Sequence, residues 1–350
     1  SFGEKNMKIL LKGGTVVSGD EASLKDVLIE DEKIIGVGQG LPEENAKIVD
    51  VLGKLLFPGF IDAHTHFDLE AAGTVTADDF ETGSRAALLG GTTTVIDFAT
   101  QYRGESLNHA FAHWMKKAKD KASCDYGFHM AISDWNPGVS EEITDMLEMG
   151  VSSFKLYMTY DDMMVSDMQI YEVLKRLKEL GGIAGVHCEN SGLIKALVEE
   201  QKKLGNSGAA CHPITRPAEV EAEAVSRLCR IAQLADTPII IVHLSSKLGY
   251  EEVLRARARG QKVYLETCTQ YLLLDDERYK LPYPEGYKYI IAPPLRKIED
   301  QNCLWKALAE GEIQTVSTDH CSFTLKQKLA SEKDFSKVPI IAGLTETVTF

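Results

Sequence analysis

The sequence predicts an α/β protein: a (β/α)8 barrel of the TIM type, with a small β-sandwich-like domain built from its N-terminal segment. Three observations predict it. The pattern changes character at Pro58-Gly59, eight short β-rich runs separated by helical stretches follow, and side chains able to bind a metal stand at the ends of five of those runs. Of the 350 residues, 44% are hydrophobic, enough to bury a large core. A length above about 250 residues allows either two domains or one α/β barrel with additions.

Before residue 58, runs at 9–11, 15–17, 27–30, 34–37 and 48–51 are rich in β-formers. Gly13-Gly14, Gly19-Asp20, Asp31-Glu32 and Gly53-Lys54 punctuate them. Short strands alternating with turn signals make residues 1–57 the N-terminal part of a small β domain. Residues 58–338 repeat strand and helix. The strand candidates are 60–63, 94–98, 126–132, 153–158, 183–186, 239–242, 262–265 and 314–317, and the clearest helices are 168–180 and 219–234, with apolar residues three and four apart. Eight β/α repeats fit a barrel. A doubly wound sheet gives a similar pattern, and periodicity alone leaves both open.

The formal charge is −14, a surface that repels phosphate backbones, so no nucleic-acid partner is expected. No apolar run reaches the roughly eighteen residues of a membrane span, and no signal-peptide h-region opens the sequence. The seven cysteines are scattered without a CxxC pair. They read as buried thiols in a reduced, cytoplasmic protein rather than a disulfide framework. Cys188 and Cys321, each beside a candidate ligand, are read as small apolar fillers.

Chemistry in a barrel gathers where the strands end at their C-terminal face. The first strand ends in His64-Thr65-His66, the fourth carries Lys155, the fifth ends in His187, the sixth in His243 and the eighth in Asp319. Positions i and i+2 of a strand point the same way, so both imidazoles of the HxH pair can reach one ion. A single histidine after an apolar strand is more often a hydrogen-bonded structural residue. The combination is informative, because four of the nine histidines, one aspartate and one lysine fall on strand ends, whereas His109 and His113 fall in a helix. Imidazole and carboxylate donors suit zinc, and also manganese or cobalt. Two neighbouring cations need an anionic bridge. A buried lysine held neutral can react with carbon dioxide to give a carboxylate-like carbamate. Taken alone, Lys155 reads as a snorkelling or salt-bridged lysine.

These residues lie in a longer series of motifs. Pro58-Gly59-Phe60-Ile61-Asp62-Ala63-His64-Thr65-His66 comes first, then Thr76-Ala77-Asp78-Asp79-Phe80-Glu81-Thr82-Gly83 and Gly90-Gly91-Thr92-Thr93-Thr94-Val95-Ile96-Asp97-Phe98. Phe154-Lys155 through Tyr160, His187-Cys188-Glu189-Asn190, Val242-His243-Leu244-Ser245, Pro293-Pro294-Leu295-Arg296 and Ser317-Thr318-Asp319-His320-Cys321 follow. In this order, over residues 8–338, the sequence resembles the D-hydantoinase and dihydropyrimidinase branch of the amidohydrolase superfamily.

The resemblance implies hydrolysis of a cyclic amide by two divalent metals, usually zinc. His64, His66 and Asp319 would hold one, His187 and His243 the other, and carbamylated Lys155 and a hydroxide would bridge them. The hydroxide would attack the ring carbonyl, Asp319 would take the proton and pass it to the leaving nitrogen, and Tyr160 would stabilise the oxyanion. Ala292 falls where relatives often carry serine and use the main chain to hold substrate. A homotetramer is implied as well. Without the likeness, Tyr160 reads as a loop tyrosine.

Residues 339–350 depart from the pattern. Ile340-Ile341-Ala342-Gly343 replaces a glycine-rich stretch with a substrate-binding asparagine, and the sequence stops at Phe350. They are read as an atypical or truncated segment, with the C-terminal part of the small β domain missing. Two other readings compete: an allantoinase- or dihydroorotase-like ring-opener, and a non-catalytic dihydropyrimidinase-like interaction protein. The full ligand set argues against the latter. Dihydroorotase, by resemblance, has an arginine two residues after the HxH motif to pair its substrate's carboxylate. Here that position is Asp68, which points to a neutral cyclic ureide.

Overall fold

The computed structural model describes residues 7–339 apart from Asp20 and Ala72. The reading of the C-terminal segment therefore lies, beyond Pro339, outside the described residues. The chain divides into two compact units, Ser1–Phe60 and Ile61–Phe350.

The first unit is one five-stranded sheet. Its strands are β1 (Lys8–Ser18), β2 (Glu21–Glu30), β3 (Lys33–Gly38), β4 (Ala46–Asp50) and β5 (Leu55–Leu56), in the order β3-β2-β1-β4 with β5 also beside β1. The runs at 9–11 and 15–17, expected as two strands parted by Gly13-Gly14, are one strand. The glycines form a bulge, with a register shift between Leu11 and Gly14 and Gly13 at φ +79°. Glycine alone enters that conformation freely, which lets the strand kink without ending.

The second unit opens within β6 (Phe60–Thr65), whose first residue closes the first unit, and continues with a short hairpin, β7 (Glu70–Ala71) and β8 (Thr74–Val75). The remaining strands are β9 (Thr92–Thr100), β10 (Asp125–Ala131), β11 (Ser153–Tyr157), β12 (Ile183–His187), β13 (Ile239–Ile241), β14 (Val263–Cys268) and β15 (Thr315–Ser317). Apart from the hairpin, they pair in the order β15-β14-β13-β12-β11-β10-β9-β6, with parallel registers. All eight predicted barrel strands are present. The ring closes through a parallel bridge between Thr65 and His320, where the His66 amide donates to the His320 carbonyl at 2.7 Å.

Helices cover the outside because their apolar faces repeat with the helical period. Helix Ala218–Ala235 buries Val220, Ala224, Val225, Leu228, Ala232 and Ala235. Helix Asp167–Leu180 buries Ile170, Val173, Leu174 and Leu177, starts on a Ser166–Gln169 capping box and stops at Gly181 with φ +82°. Among the described residues, no helix is long and apolar enough to cross a membrane. All seven cysteines are free thiols, Cys188 and Cys321 fully buried among them.

Candidate metal centre

Six predicted ligands converge, five of them at or just past the ends of four strands and Lys155 within a fifth. His64 is the penultimate residue of β6 and His66 lies just beyond it. Lys155 is central in β11, His187 ends β12, and His243 and Asp319 follow β13 and β15 by two residues. Each is 3% exposed or less. Placing so many ionisable groups in a dry interior is costly unless they are paired or hold a cation.

Two groupings emerge. One carboxylate oxygen of Asp319 lies 3.1 Å from Nε2 of His64 and 3.3 Å from Nε2 of His66. Donor atoms of these three residues all fall within 4.8 Å of one another. In the other, Nδ1 of His187 faces Nε2 of His243 at 2.9 Å. The His64 and His243 rings, 5.6 Å apart between centroids, link the groupings, and the Lys155 amine stands 3.4 Å from Nε2 of His64.

The electrostatics favour ligand chemistry. Burial pulls the His187 and His243 imidazoles below their usual pKa and takes His66 down to about 4, so these rings are neutral donors. At His64, burial acts downward most strongly of the single causes, but Asp319 and Glu266 together outweigh it and the ring is pushed up to about 9. Burial lowers the Lys155 amine to about 8, against the pull of Asp319 and Glu266. Burial opposes ionisation of Asp319 too, yet the neighbouring histidines hold it well below the usual carboxylate range.

Among the described residues, both Asp319 oxygens are buried without an aligned hydrogen-bond donor, and Nδ1 of His243 is buried without a hydrogen-bond partner. An unsatisfied buried polar group costs about 1–3 kcal/mol, more when charged. A divalent cation among these donors would remove that cost, so the residues present fit a metal centre built on His64, His66 and Asp319.

Sequence reasoning assigned no role to the carboxylates behind the ligands. Glu189 accepts from Nε2 of His187 at 2.8 Å and pairs with buried Arg216. Asp97 accepts from the Thr65 hydroxyl at 2.9 Å and the Phe67 amide at 2.8 Å, clamping the HxH segment. Asp62 accepts from the Thr318 amide at 3.2 Å and from the Thr318 hydroxyl. Glu266 accepts from Nδ1 of His64 at 2.7 Å. Such partners fix ring orientation and make the histidines better donors. Asp62, Asp97 and Glu189 stand inside the quoted motifs. Glu266 was missed because the seventh strand, expected to end at residue 265, continues to Cys268.

Backbone conformation marks the same places. Tyr160 (φ +71°), His243 (φ +39°) and Asp319 (φ +51°) are left-handed, as is Asp68 (φ +52°). A non-glycine residue stays there only when its surroundings enforce it, and such residues gather at functional sites. Tyr160 packs 5.1 Å from the His187 ring, with the Arg216 guanidinium 5.9 Å from its own ring. It lines a cavity of about 540 Å³ with Leu69, Tyr102, Arg103 and Met163. Asp68 is half-buried, and its carbonyl accepts from Lys117 at 2.6 Å.

Ala292 is buried in a loop whose neighbours are held elsewhere. The Ile291 carbonyl accepts from His212 at 2.6 Å and the Pro293 carbonyl from Tyr271 at 2.8 Å. Among the described residues, no hydrogen bond joins Ala292 to the six-residue cluster. His109 and His113 lie in the helix Leu107–Ala118, away from the cluster.

Residues 55–343 match the Amidohydrolase family model. The sequence is 43% identical over 336 residues to the D-hydantoinase of Geobacillus stearothermophilus, covering 95% of this chain and 71% of the relative. It is 41% identical over 337 residues to a D-phenylhydantoinase of Escherichia coli (strain SE11), covering 95% and 72%. The crystal structure of dihydropyrimidinase from Brevibacillus agri NCHU1002 superposes with a TM-score of 0.94 at 41% identity, over 97% of this chain and 74% of that one.

Proposed function

The chain belongs to the amidohydrolase family and is a cyclic amidohydrolase, and from that premise we propose that its substrate is a neutral cyclic ureide. A hydantoin or a 5,6-dihydropyrimidine would take up one water across its ring amide, break the C–N bond and give an N-carbamoyl amino acid. The convergence of four histidines and one aspartate at strand ends with Lys155 of β11 carries this reading.

Two divalent cations would be held by His64, His66 and Asp319 on one side and by His187 and His243 on the other. Lys155 would serve both as a carbamate, formed when carbon dioxide adds to its neutral amine with loss of one proton. Zinc suits this donor set best, with manganese and cobalt next. When bound, such ions polarise a carbonyl and acidify water to near neutrality.

The protein's own groups would do the rest. Asp319, held ionised by its histidines, would accept the proton of the attacking water and deliver it to the departing ring nitrogen. Tyr160, whose phenol burial keeps protonated, would donate a hydrogen bond to the developing oxyanion. The main chain at Ala292 would hold the ureide. Asp68 disfavours a substrate carboxylate, which sets a neutral ring above dihydroorotate. Family likeness and the free thiols support a cytoplasmic homotetramer, which light scattering would test.

A substrate panel on metal-loaded protein tests the assignment. Hydantoin and dihydrouracil differ by one methylene, which a pocket discriminates by about 1–3 kcal/mol, so turnover of both is expected. Hydrolysis of dihydroorotate with neither of those rings opened would overturn the assignment.

A further inference from the structure

Glu266 occupies a position that no motif singled out. It is 5% exposed near the end of β14. Its Oε1 accepts two hydrogen bonds, from Nδ1 of His64 at 2.7 Å and from the backbone amide of His243 at 3.1 Å. Its carbonyl also accepts from the Leu244 amide at 2.8 Å. The β13–β14 ladder ends at Ile241–Leu265, and His243, two residues further, is left-handed at φ +39°. Past the ladder's end, the Glu266 side chain takes over the pairing that holds His243 in place. The same oxygen engages Nδ1 of His64, which turns Nε2 toward Asp319 and Lys155.

We propose that Glu266 is a positioning residue that ties the two halves of the metal centre together, so that both cation sites form as one unit. The inference rests on the metal-centre reading above. His64 belongs to one ligand group and His243 to the other, and a single carboxylate oxygen sets the ring orientation of the first and the backbone of the second. Among the described residues, by contrast, Glu189 meets a single member of the cluster, His187, and Asp97 holds the HxH segment and the Trp114 indole without reaching the second ligand group. A shared anchor removes the independence of the two sites. An ion in the first group orders Glu266 through His64, and Glu266 then presents His243 correctly for the second.

The test titrates metal-free protein with zinc ion from a chelator-buffered solution and reads stoichiometry, affinity and the order of loading. The native chain should take up two ions together. Glu266→Ala should lose about 10- to 100-fold in affinity at both sites, the usual size of such an outer-partner effect, and should load stepwise. Glu266→Gln, which keeps an acceptor oxygen, should fall between the two and serves as the deciding variant if the alanine form does not fold. Circular dichroism of the metal-free proteins checks folding. A lower melting temperature with unchanged zinc affinity, or a loss confined to one ion, overturns the proposal while leaving the metal centre intact. A native chain that takes up no zinc sinks the metal-centre reading and this inference with it.

Discussion

Tyr160 and Asp319 divide the proposed chemistry in a way that single substitutions separate. Losing one oxyanion donor typically lowers turnover by about a hundred- to a thousandfold. Tyr160→Phe should therefore slow the reaction by that order while elemental analysis still finds two metals. Asp319→Asn removes a ligand and the proton carrier together, so it should lose metal and fall further in kcat. A change in KM alone for Tyr160→Phe would end the oxyanion assignment. The proposed ligands were legible because a histidine or aspartate closing an apolar strand is conspicuous in sequence. Their supports were not. Glu189 and Asp97 read as ordinary polar residues until the fold shows what they touch. Glu266 needed a strand boundary correct to one residue. Ala292 offers no side-chain signal at all, because only its main chain is proposed to act.

Motifs that looked separate in sequence explain one another once the secondary structure packs. Gly83, in the helix Phe80–Leu89, leaves room for the ring of Phe67, which directly follows His66. A Cβ there would stand 2.3 Å from Phe67 Cε1. Glycine to alanine in a helix ordinarily gains about 1 kcal/mol. Here overpacking should outweigh that gain, leaving Gly83→Ala less stable by about 1–3 kcal/mol in chemical denaturation. A net gain would show that Phe67 moves aside freely. Asp78, from the same motif, accepts from His320 at 2.8 Å and from Ser322 at 2.7 Å, tying the segment after β15 to the loop before that helix. His320 first and then Ser322 pull its carboxyl down to about 2 from an ordinary 3.8, against the effect of burial. A carboxylate depressed in this way stabilises the fold fully above pH 3.8, and that contribution is lost as pH falls through about 2. The gap in melting temperature between native and Asp78→Asn protein should stay open above about pH 4 and close toward pH 2. A gap that persists at pH 2 would mean the contact does not depend on charge.

The barrel as such was readable because strands covered on both faces appear as apolar runs, and eight of them alternate with helices. What the runs did not convey is that metal occupancy at the proposed centre would be joined to stability. A ligand bound only by the folded state stabilises it by about 2.7 kcal/mol at a hundred times its Kd. Stripping metal with a chelator should therefore lower the melting temperature, and adding zinc should restore it. Equal melting of verified metal-loaded and metal-free protein would place the ions outside the folded core. The closing seam has a further consequence, for assembly in time. Asp62 and Thr318 are separated by 256 positions, yet their hydrogen bond lies at the seam where His66 and Asp319 meet. Contacts so distant along the chain slow folding, because the loop between them must be closed before they add any stability. A chain still leaving the ribosome carries His64 and His66 early but would not complete their proposed cation site until β15 arrives. Tight cation capture at the proposed centre would therefore wait until the ends of the barrel have met.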